Sequence, residues 1–271
     1  MSRRVVVPVL AALLLAGCGG SSGGAATPSP AGDGAAGDAL SGTLTVFAAA
    51  SLTDVFTDLG GRLEVEHPAL DVQFNFAAST ALATQVLQGA PADVFASAAE
   101  PQMDRVADAG LVDAPEVFAA NELMLVVPPD DPAAVRPPQG AGIPRLADLV
   151  RDDLTMAVCA LEVPCGAAAA EVLGAAGIED VPDTYEEDVR AVLTKVQLGE
   201  VDAGLVYVSD VHAAGDSVLA YAFTESVLAR NRYPIGVLGS APNPEAARAF
   251  VDLVLSEEGR QVLRDAGLQE P

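Results

Sequence analysis

Basic residues are scarce in this 271-residue sequence, and it contains no tryptophan. Fourteen lysine and arginine residues are outnumbered by 38 aspartate and glutamate residues, which gives a formal net charge of −24. A chain this acidic is not expected to bind nucleic acid or an anionic membrane surface through general electrostatics. A local anion site is still allowed, because neutral hydrogen-bond donors can build one.

Histidine is also rare, which limits the enzyme classes that fit the chain. The two histidines are His67 and His212. A serine hydrolase needs a nucleophile, a histidine and an acid. Ser51 and Ser79 are candidate nucleophiles, but neither histidine lies in a matching turn, and no G-x-S-x-G motif occurs. We therefore expect the chain not to be an enzyme, and an exported serine hydrolase is kept as an alternative.

The N-terminus has the pattern of a targeting segment. Two arginines precede an apolar run at residues 5–15, which is too short to span a membrane. The run ends in Leu-Ala-Gly-Cys at residues 15–18, which resembles a lipobox. Residues 1–17 are therefore expected to be a lipoprotein signal peptide, and Cys18 the lipidated first residue. A simple cleaved signal peptide with a chance cysteine is the alternative.

Small and polar residues dominate residues 18–41, a composition typical of a flexible tether. The protein is therefore expected to be extracytoplasmic and anchored to the membrane through the lipid on Cys18. An exported chain sits in an oxidising compartment, where Cys159 and Cys165 can form a disulfide. Two free buried thiols are the alternative. A metal site is not expected there, because no histidine lies nearby and two thiols are too few ligands.

From residue 43 onward, strand patterns alternate with helix patterns. A strand at 43–47 precedes a helix from Ser51 to about residue 66, with Ser51 as its N-cap and Asp54 in a variant capping box. The pattern also predicts an unbroken strand at 121–127 and a helix at 185–198. This alternation predicts an α/β fold with mostly parallel sheets and helices on both faces.

Several strands are followed by small-residue turns that lead into helices. These turns lie at 48–51, 77–80 and 163–166, and a further helix begins near 188. Ligands of such folds bind at the carboxyl ends of the strands, and the free N–H groups of a helix N-terminus suit an anion. Because the turns fall in two halves of the sequence, we expect two lobes that face each other across a cleft.

The same segments resemble a known family. Five of them occur in the order seen in molybdate-binding proteins of ABC importers, which have the type II periplasmic-binding-protein fold: FAAASLTDVF, FNFAASTALATQVLQGAPADVFASA, VPCGAAAAEVLGAAG, EEDVRAVLTKVQLGEVDAGLVYVSD and YPIGVL. The resemblance covers residues 43–268. It implies a hinged ligand cleft between two lobes. Lobe 1 would comprise residues 42–124 with 224–271, and lobe 2 residues 125–223.

The resemblance also implies which residues bind the oxyanion. Ser51 and Ser79 would each give a hydroxyl and a backbone N–H from lobe 1. Cys165, where the family often has alanine, and Val189 would each give a backbone N–H from lobe 2. Tyr207 would give its phenol. The ligand would be molybdate, and by the same contacts tungstate, so the metal is bound only as its oxyanion and no other cofactor is expected.

The implied function is a receptor that delivers molybdate to an ABC importer permease with its ATPase, and we expect it to act as a monomer. A receptor for sulfate or another oxyanion is the alternative within this class, and a structural surface lipoprotein is the alternative outside it. Some of the singled-out residues also have plainer interpretations. Tyr207 could be a core aromatic, Asp54 a helix cap, and Arg190 the partner of Glu186 or Glu187 in a surface ion pair.

Overall fold

The computed structural model describes residues 39–131, 133–138, 140, 142–151 and 153–271. The expected signal peptide at 1–17, the lipidation site Cys18 and most of the tether lie outside these residues. The tether does not extend to residue 41, because Ser41 already pairs with Ala69 as the first residue of a strand. Within the described residues, no helix is both long enough and apolar enough to cross a lipid bilayer.

Lobe 1 is built on a five-stranded sheet with the order β2-β1-β3-β10-β4. Its strands are β1 (Ser41–Ala49), β2 (Ala69–Ala77), β3 (Val94–Ala96), β4 (Glu116–Asn121) and β10 (Asn231–Val237). Its helices are α1 (Thr53–Glu66), α2 (Ser79–Leu87), α3 (Glu100–Asp108), α8 (Pro244–Leu255) and α9 (Glu257–Asp265). A separate apolar core lies between this sheet and helices α1 and α8.

Lobe 2 is built on a second five-stranded sheet with the order β7-β6-β8-β5-β9. Its strands are β5 (Leu123–Val127), β6 (Met156–Cys159), β7 (Thr184–Glu186), β8 (Ala203–Tyr207) and β9 (Leu219–Tyr221). Its helices are α4 (Leu146–Leu149), α5 (Pro164–Ala176), α6 (Val189–Gln197) and α7 (Val208–Ala214). Buried residues of these helices and strands form the core of this lobe.

The predicted two-lobed α/β fold with mostly parallel sheets is confirmed, and each sheet contains one strand of opposite direction. In lobe 1, β1 runs parallel to β2 and β3, whereas β10 runs antiparallel to both of its neighbours. In lobe 2, β6 runs parallel to β7 and β8, and β5 is antiparallel to both of its neighbours. The antiparallel strands are the two that enter a sheet directly after the chain has crossed from the other lobe.

The chain crosses between the lobes twice, and neither crossing lies at the expected boundary. The predicted strand 121–127 is interrupted at Glu122, because Asn121 pairs in the first sheet and Leu123 in the second. Lobe 2 therefore begins before residue 125. The return crossing lies near Arg230 rather than at 224, because the 3₁₀ turn Thr224–Ala229 packs on helix α5 of lobe 2.

Two helix starts differ from the sequence prediction. Ser51 is not the N-cap of α1, because residues Ala50–Leu52 form a 3₁₀ turn and the helix begins at Thr53. The Thr53 hydroxyl donates to the Ala50 carbonyl over 2.7 Å. The helix predicted at 185–198 also starts later, because residues 184–186 pair with β6 as strand β7. Helix α6 then begins at Val189.

The loop between β6 and α5 is held in two ways. Cys159 and Cys165 form a disulfide with their Cα atoms 5.6 Å apart. Gly166 lies directly against this loop, because a Cβ atom there would sit only 1.7 Å from the Ala160 carbonyl oxygen. Glycine is therefore required for α5 to begin so close to the end of β6. The start of α5 is thus fixed to β6 by both packing and a covalent bond.

Reducing the disulfide should lower the free energy of unfolding by about 2 kcal/mol, as expected for a loop closed over six positions. Urea denaturation of residues 39–271 with and without reductant measures this difference. A Cys159→Ala/Cys165→Ala variant is the control, because its unfolding midpoint should not respond to reductant. A midpoint of the reduced wild type equal to that of the oxidised protein would contradict the prediction.

Candidate functional site

A small pocket lies between the lobes, where the carboxyl ends of their strands meet. Its lining comprises Ala49, Ala50, Ser51, Ala77, Ala78, Ser79, Ala98, Pro164, Cys165, Asp188, Val189 and Tyr207. The lining includes all five residues that the family resemblance implied for ligand binding. The volume open to the centre of a water-sized sphere is about 20 Å³. One water needs roughly 10–15 Å³ on this measure, so the space corresponds to one or two waters.

Backbone N–H groups at the starts of several helices make this pocket rich in hydrogen-bond donors. Ser79 is the first residue of α2, Cys165 the second of α5 and Val189 the first of α6, while Ser51 lies in the 3₁₀ turn. The first N–H groups of a helix have no partner within the helix. In the described part of the chain these four donate to no other residue. The positive ends of the helix dipoles add to their preference for an anion.

The local sequence of lobe 2 determines which backbone N–H groups have no hydrogen-bond acceptor within the protein. In α6, the Asp188 carboxylate accepts from the N–H groups of Arg190 and Ala191 at 2.9 and 3.0 Å, so only the Val189 N–H remains. In α5, Pro164 has no N–H, and the Gly166 N–H donates to Val163 over 3.0 Å. The Cys165 N–H is therefore the remaining donor of that turn.

The two serine hydroxyls are both buried and both have an internal partner. The Ser79 hydroxyl accepts from the Ala98 N–H over 2.9 Å. The Ser51 hydroxyl lies 3.0 Å from the Tyr233 hydroxyl. Neither serine contacts a histidine through a hydrogen bond among the described residues, so the arrangement of a serine hydrolase is not present there.

Tyr207 lines the pocket from the end of β8 and is fully buried. Its hydroxyl has no hydrogen-bond partner among the residues that the structure describes. Burial, followed by nearby Tyr233 and Asp210, raises the pKa of Tyr207 well above its usual range. The amide of Asn231 opposes this pKa shift, although it forms no hydrogen bond of normal geometry with the phenol. The phenol is therefore neutral at physiological pH. A buried hydroxyl without a partner is unusual, and this one belongs to a residue that lines the pocket.

Arg190 does not pair with Glu186 or Glu187 in a surface ion pair. Its Nε atom lies 3.0 Å from Oδ1 of the fully buried Asp210, an ion-pair contact that is not aligned as a hydrogen bond. Its other end contacts Asp54 of helix α1. Burial raises the pKa of Asp210 to about 7, and Arg190 opposes this rise. Asp54 is therefore an inter-lobe partner of Arg190 rather than a helix cap.

The two lobes contact each other through side chains at two places near the pocket-lining residues. Asp54 of lobe 1 contacts Arg190 of lobe 2. The Thr80 hydroxyl of lobe 1 donates to the Glu162 carbonyl of lobe 2 over 2.8 Å. Residues from both lobes therefore line one space.

The pocket lining carries no arginine, lysine or histidine within the described residues. That same part of the chain holds no group of three or more histidine, cysteine, aspartate or glutamate side chains placed to bind a metal ion. The donors of the pocket are therefore neutral groups, and the one charged side chain among the described residues that line it is the Asp188 carboxylate. Neutral donors at helix starts suit an anion.

Sequence reasoning gave no ligand-binding role to Tyr233, Asn121 or Ser209, which surround Ser51. Tyr233 lies in the YPIGVL segment, which was the one available signal.

The chain is similar in sequence to known bacterial binding proteins. Residues 44–269 match the family model described as bacterial extracellular solute-binding protein. The molybdate-binding protein ModA of Mycobacterium tuberculosis is 42% identical over 230 residues, which cover 84% of this chain and 85% of the relative. ModA of Escherichia coli is 31% identical over 250 residues, which cover 86% of this chain and 91% of the relative.

A solved structure shares the fold at low sequence identity. The periplasmic molybdate-binding protein of Azotobacter vinelandii superposes with a TM-score of 0.71 at 18% identity, covering 84% of this chain and 99% of that one. This likeness supports the two-lobed architecture. Together with the family match over residues 44–269 and the relatives above 30% identity, it shows that the chain belongs to the bacterial extracellular solute-binding proteins.

Proposed function

We propose that this protein captures molybdate, and tungstate by the same contacts, between its two lobes and delivers it to an ABC importer permease with its ATPase. It does so outside the cytoplasm, as a monomer anchored through a lipid on Cys18, and uses no other cofactor. The observation that carries the proposal is the pocket of neutral donors contributed by both lobes. The names of the 42% and 31% identical relatives support molybdate as the ligand.

A tetrahedral dianion loses its water on entering such a pocket, and this loss must be offset. In the proposed complex, Ser51 and Ser79 donate from lobe 1 through their hydroxyl and backbone N–H groups. Cys165 and Val189 donate backbone N–H groups from lobe 2, and Tyr207 donates its phenol. Each hydrogen bond to a charged group contributes roughly 1.5–3 kcal/mol net. The set therefore replaces hydration without a cationic side chain.

Within the described residues, the pocket lining holds one carboxylate that could accept from an anion carrying a proton. Asp188 accepts from two backbone N–H groups through Oδ1 alone. Hydrogenphosphate is expected to bind more weakly than molybdate, because the other groups of the proposed site act as donors. Sulfate carries no proton but is smaller than molybdate, so a closed pocket of fixed size would leave some donors out of reach.

Calorimetric titration of residues 39–271 with molybdate, tungstate, sulfate and phosphate tests the proposal. We expect one-to-one binding of molybdate and tungstate with similar affinity, because the two anions have nearly the same size and charge. Sulfate and phosphate should bind far more weakly. Preferential binding of sulfate would replace the proposed ligand. No binding of any of the four by a folded, ligand-free sample would remove the oxyanion assignment.

Ser79→Ala should weaken molybdate binding roughly 10- to 100-fold, because it deletes one charge-assisted donor. Titration calorimetry on the variant measures the change in dissociation constant. Ser97→Ala is the matched control, because the Ser97 hydroxyl is also fully buried but bonds to Ala99 and does not line the pocket. Equal losses in both variants would show that Ser79 acts only through the stability of lobe 1.

Asp54→Asn should weaken molybdate binding by up to about fivefold, because it removes the ion pair with Arg190 that joins the closed lobes. Partly exposed ion pairs contribute about 0.2–1 kcal/mol and are screened by salt. The difference from wild type should therefore shrink as salt is raised in the titration. Asp58→Asn is the control, because Asp58 is also on α1 but pairs with Arg62 of the same helix. A similar loss in the control would contradict a role in closure.

A further inference from the structure

A buried ring of polar side chains surrounds Ser51 and joins residues of both lobes. Its members are Ser51 and Tyr233 of lobe 1, Asn121 at the first crossing, and Ser209 in the first turn of α7 in lobe 2. Asn121 and Tyr233 are completely buried, and the two serines are nearly so. Nothing in the proposed ligand contacts requires Tyr233, Asn121 or Ser209. Their hydrogen bonds nevertheless determine where each proton of the ring points.

Asn121 determines which group donates and which accepts in each hydrogen bond of the ring. The Asn121 Oδ1 atom accepts from the Glu122 N–H over 3.1 Å, which identifies the other side-chain atom as the amide nitrogen. That nitrogen lies 2.8 Å from the Ser209 hydroxyl and 3.4 Å from the Tyr233 hydroxyl. Both of its hydrogens are therefore donated, one to each hydroxyl oxygen.

The Ser209 and Tyr233 hydroxyls, which accept from Asn121, then have one available acceptor each for their own hydrogens. The Ser209 hydroxyl lies 3.4 Å from the Ser51 carbonyl oxygen and donates to it. The Tyr233 hydroxyl accepts from Asn121, and the only other hydrogen-bond partner it has among the described residues is the Ser51 hydroxyl at 3.0 Å. A buried hydroxyl hydrogen without an acceptor is costly. Tyr233 therefore donates to Ser51.

Ser51 is left as a donor. Its hydroxyl oxygen accepts from Tyr233, so its own hydrogen has no partner within the ring and remains for the pocket that Ser51 lines. The second serine is set in the same way by the backbone, because the Ser79 hydroxyl accepts from the Ala98 N–H. Each serine thus has its acceptor side occupied by the protein and its hydrogen available to a ligand.

We propose that Tyr233, held by Asn121, is a positioning residue that fixes the Ser51 hydroxyl as a donor toward the pocket. This inference rests on the proposed oxyanion-binding function and extends it to residues that do not touch the ligand. It accounts for a tyrosine at a buried position of β10 where an apolar side chain would otherwise fit the core. It also makes the selection of fully deprotonated anions depend on a residue outside the pocket.

A double-mutant cycle between Tyr233 and Ser51 tests the proposal, with molybdate dissociation constants measured by calorimetry on residues 39–271. Tyr233→Phe should weaken binding about tenfold, because the Ser51 hydroxyl is then free to turn away. Ser51→Ala should weaken binding at least as much. In the Ser51→Ala background, Tyr233→Phe should have no further effect, since the hydroxyl on which it acts is gone. Tyr221→Phe is the matched control, because Tyr221 donates to Val135 within lobe 2.

The outcomes are distinct. The inference is wrong if the Tyr233→Phe variant binds molybdate as tightly as the wild type. It is also wrong if Tyr233→Phe weakens molybdate binding by the same factor in the Ser51→Ala background as in the wild type, because Tyr233 then does not act through the Ser51 hydroxyl. If the wild type itself does not bind molybdate, the proposed function fails first, and this is visible before any variant is compared. Thermal melting of each ligand-free variant separates a loss of affinity from a loss of folding.

Selectivity gives a second readout that a purely structural role would not change. In Tyr233→Phe the Ser51 hydroxyl can accept as well as donate, so the ratio of phosphate to molybdate dissociation constants should fall. If Tyr233→Phe does not fold, Asn121→Asp tests the same step. The new carboxylate would accept from Tyr233, and Ser51 would then donate to Tyr233 instead of the ligand. Comparison with the same change in Ser51→Ala separates this effect from the added charge, and equal effects in both backgrounds would overturn the inference.

Discussion

Hydrogen-bond donors that are buried without an internal acceptor are the constraint on which the rest of this structure depends. Four backbone N–H groups and the Tyr207 phenol belong to residues that line one pocket, and no described residue of the chain accepts from them. Such groups are costly when left unsatisfied. The helix starts, the proline and glycine of α5, and the Asp188 cap all serve to place these donors. A set of unpartnered donors of this kind suits an anion.

The two crossings between the lobes explain how donors from distant parts of the sequence reach one space. Each lobe presents the carboxyl ends of its parallel strands to the other, and the antiparallel strands β5 and β10 carry the connections. Ion pairing and hydrogen bonding at the rim are modest in energy. In the proposed complex, satisfying the donors inside the pocket would contribute more to closure than these rim contacts.

Much of this could be predicted from residue patterns. The strand–helix alternation predicted an α/β fold, and the small-residue turns located Ser51, Ser79 and Cys165 at the pocket. Three features could not be predicted in this way. The interruption at Glu122 carries no glycine or proline and lies in an apolar run. The partners of Arg190 come from α1 and α7, far away in sequence. The ring around Ser51 depends on register between strands, which periodicity alone does not specify.

The ring around Ser51 has a consequence for the order of events during capture. Asn121, Tyr233 and Ser51, together with the Ala98–Ser79 pair, belong to lobe 1 or its edge, so their hydrogen bonds do not need the other lobe. In the proposed function, lobe 1 would therefore act as a half-site whose serines are oriented before an anion arrives. Discrimination would then begin at the first encounter with lobe 1, and lobe 2 would retain an anion that lobe 1 had already selected.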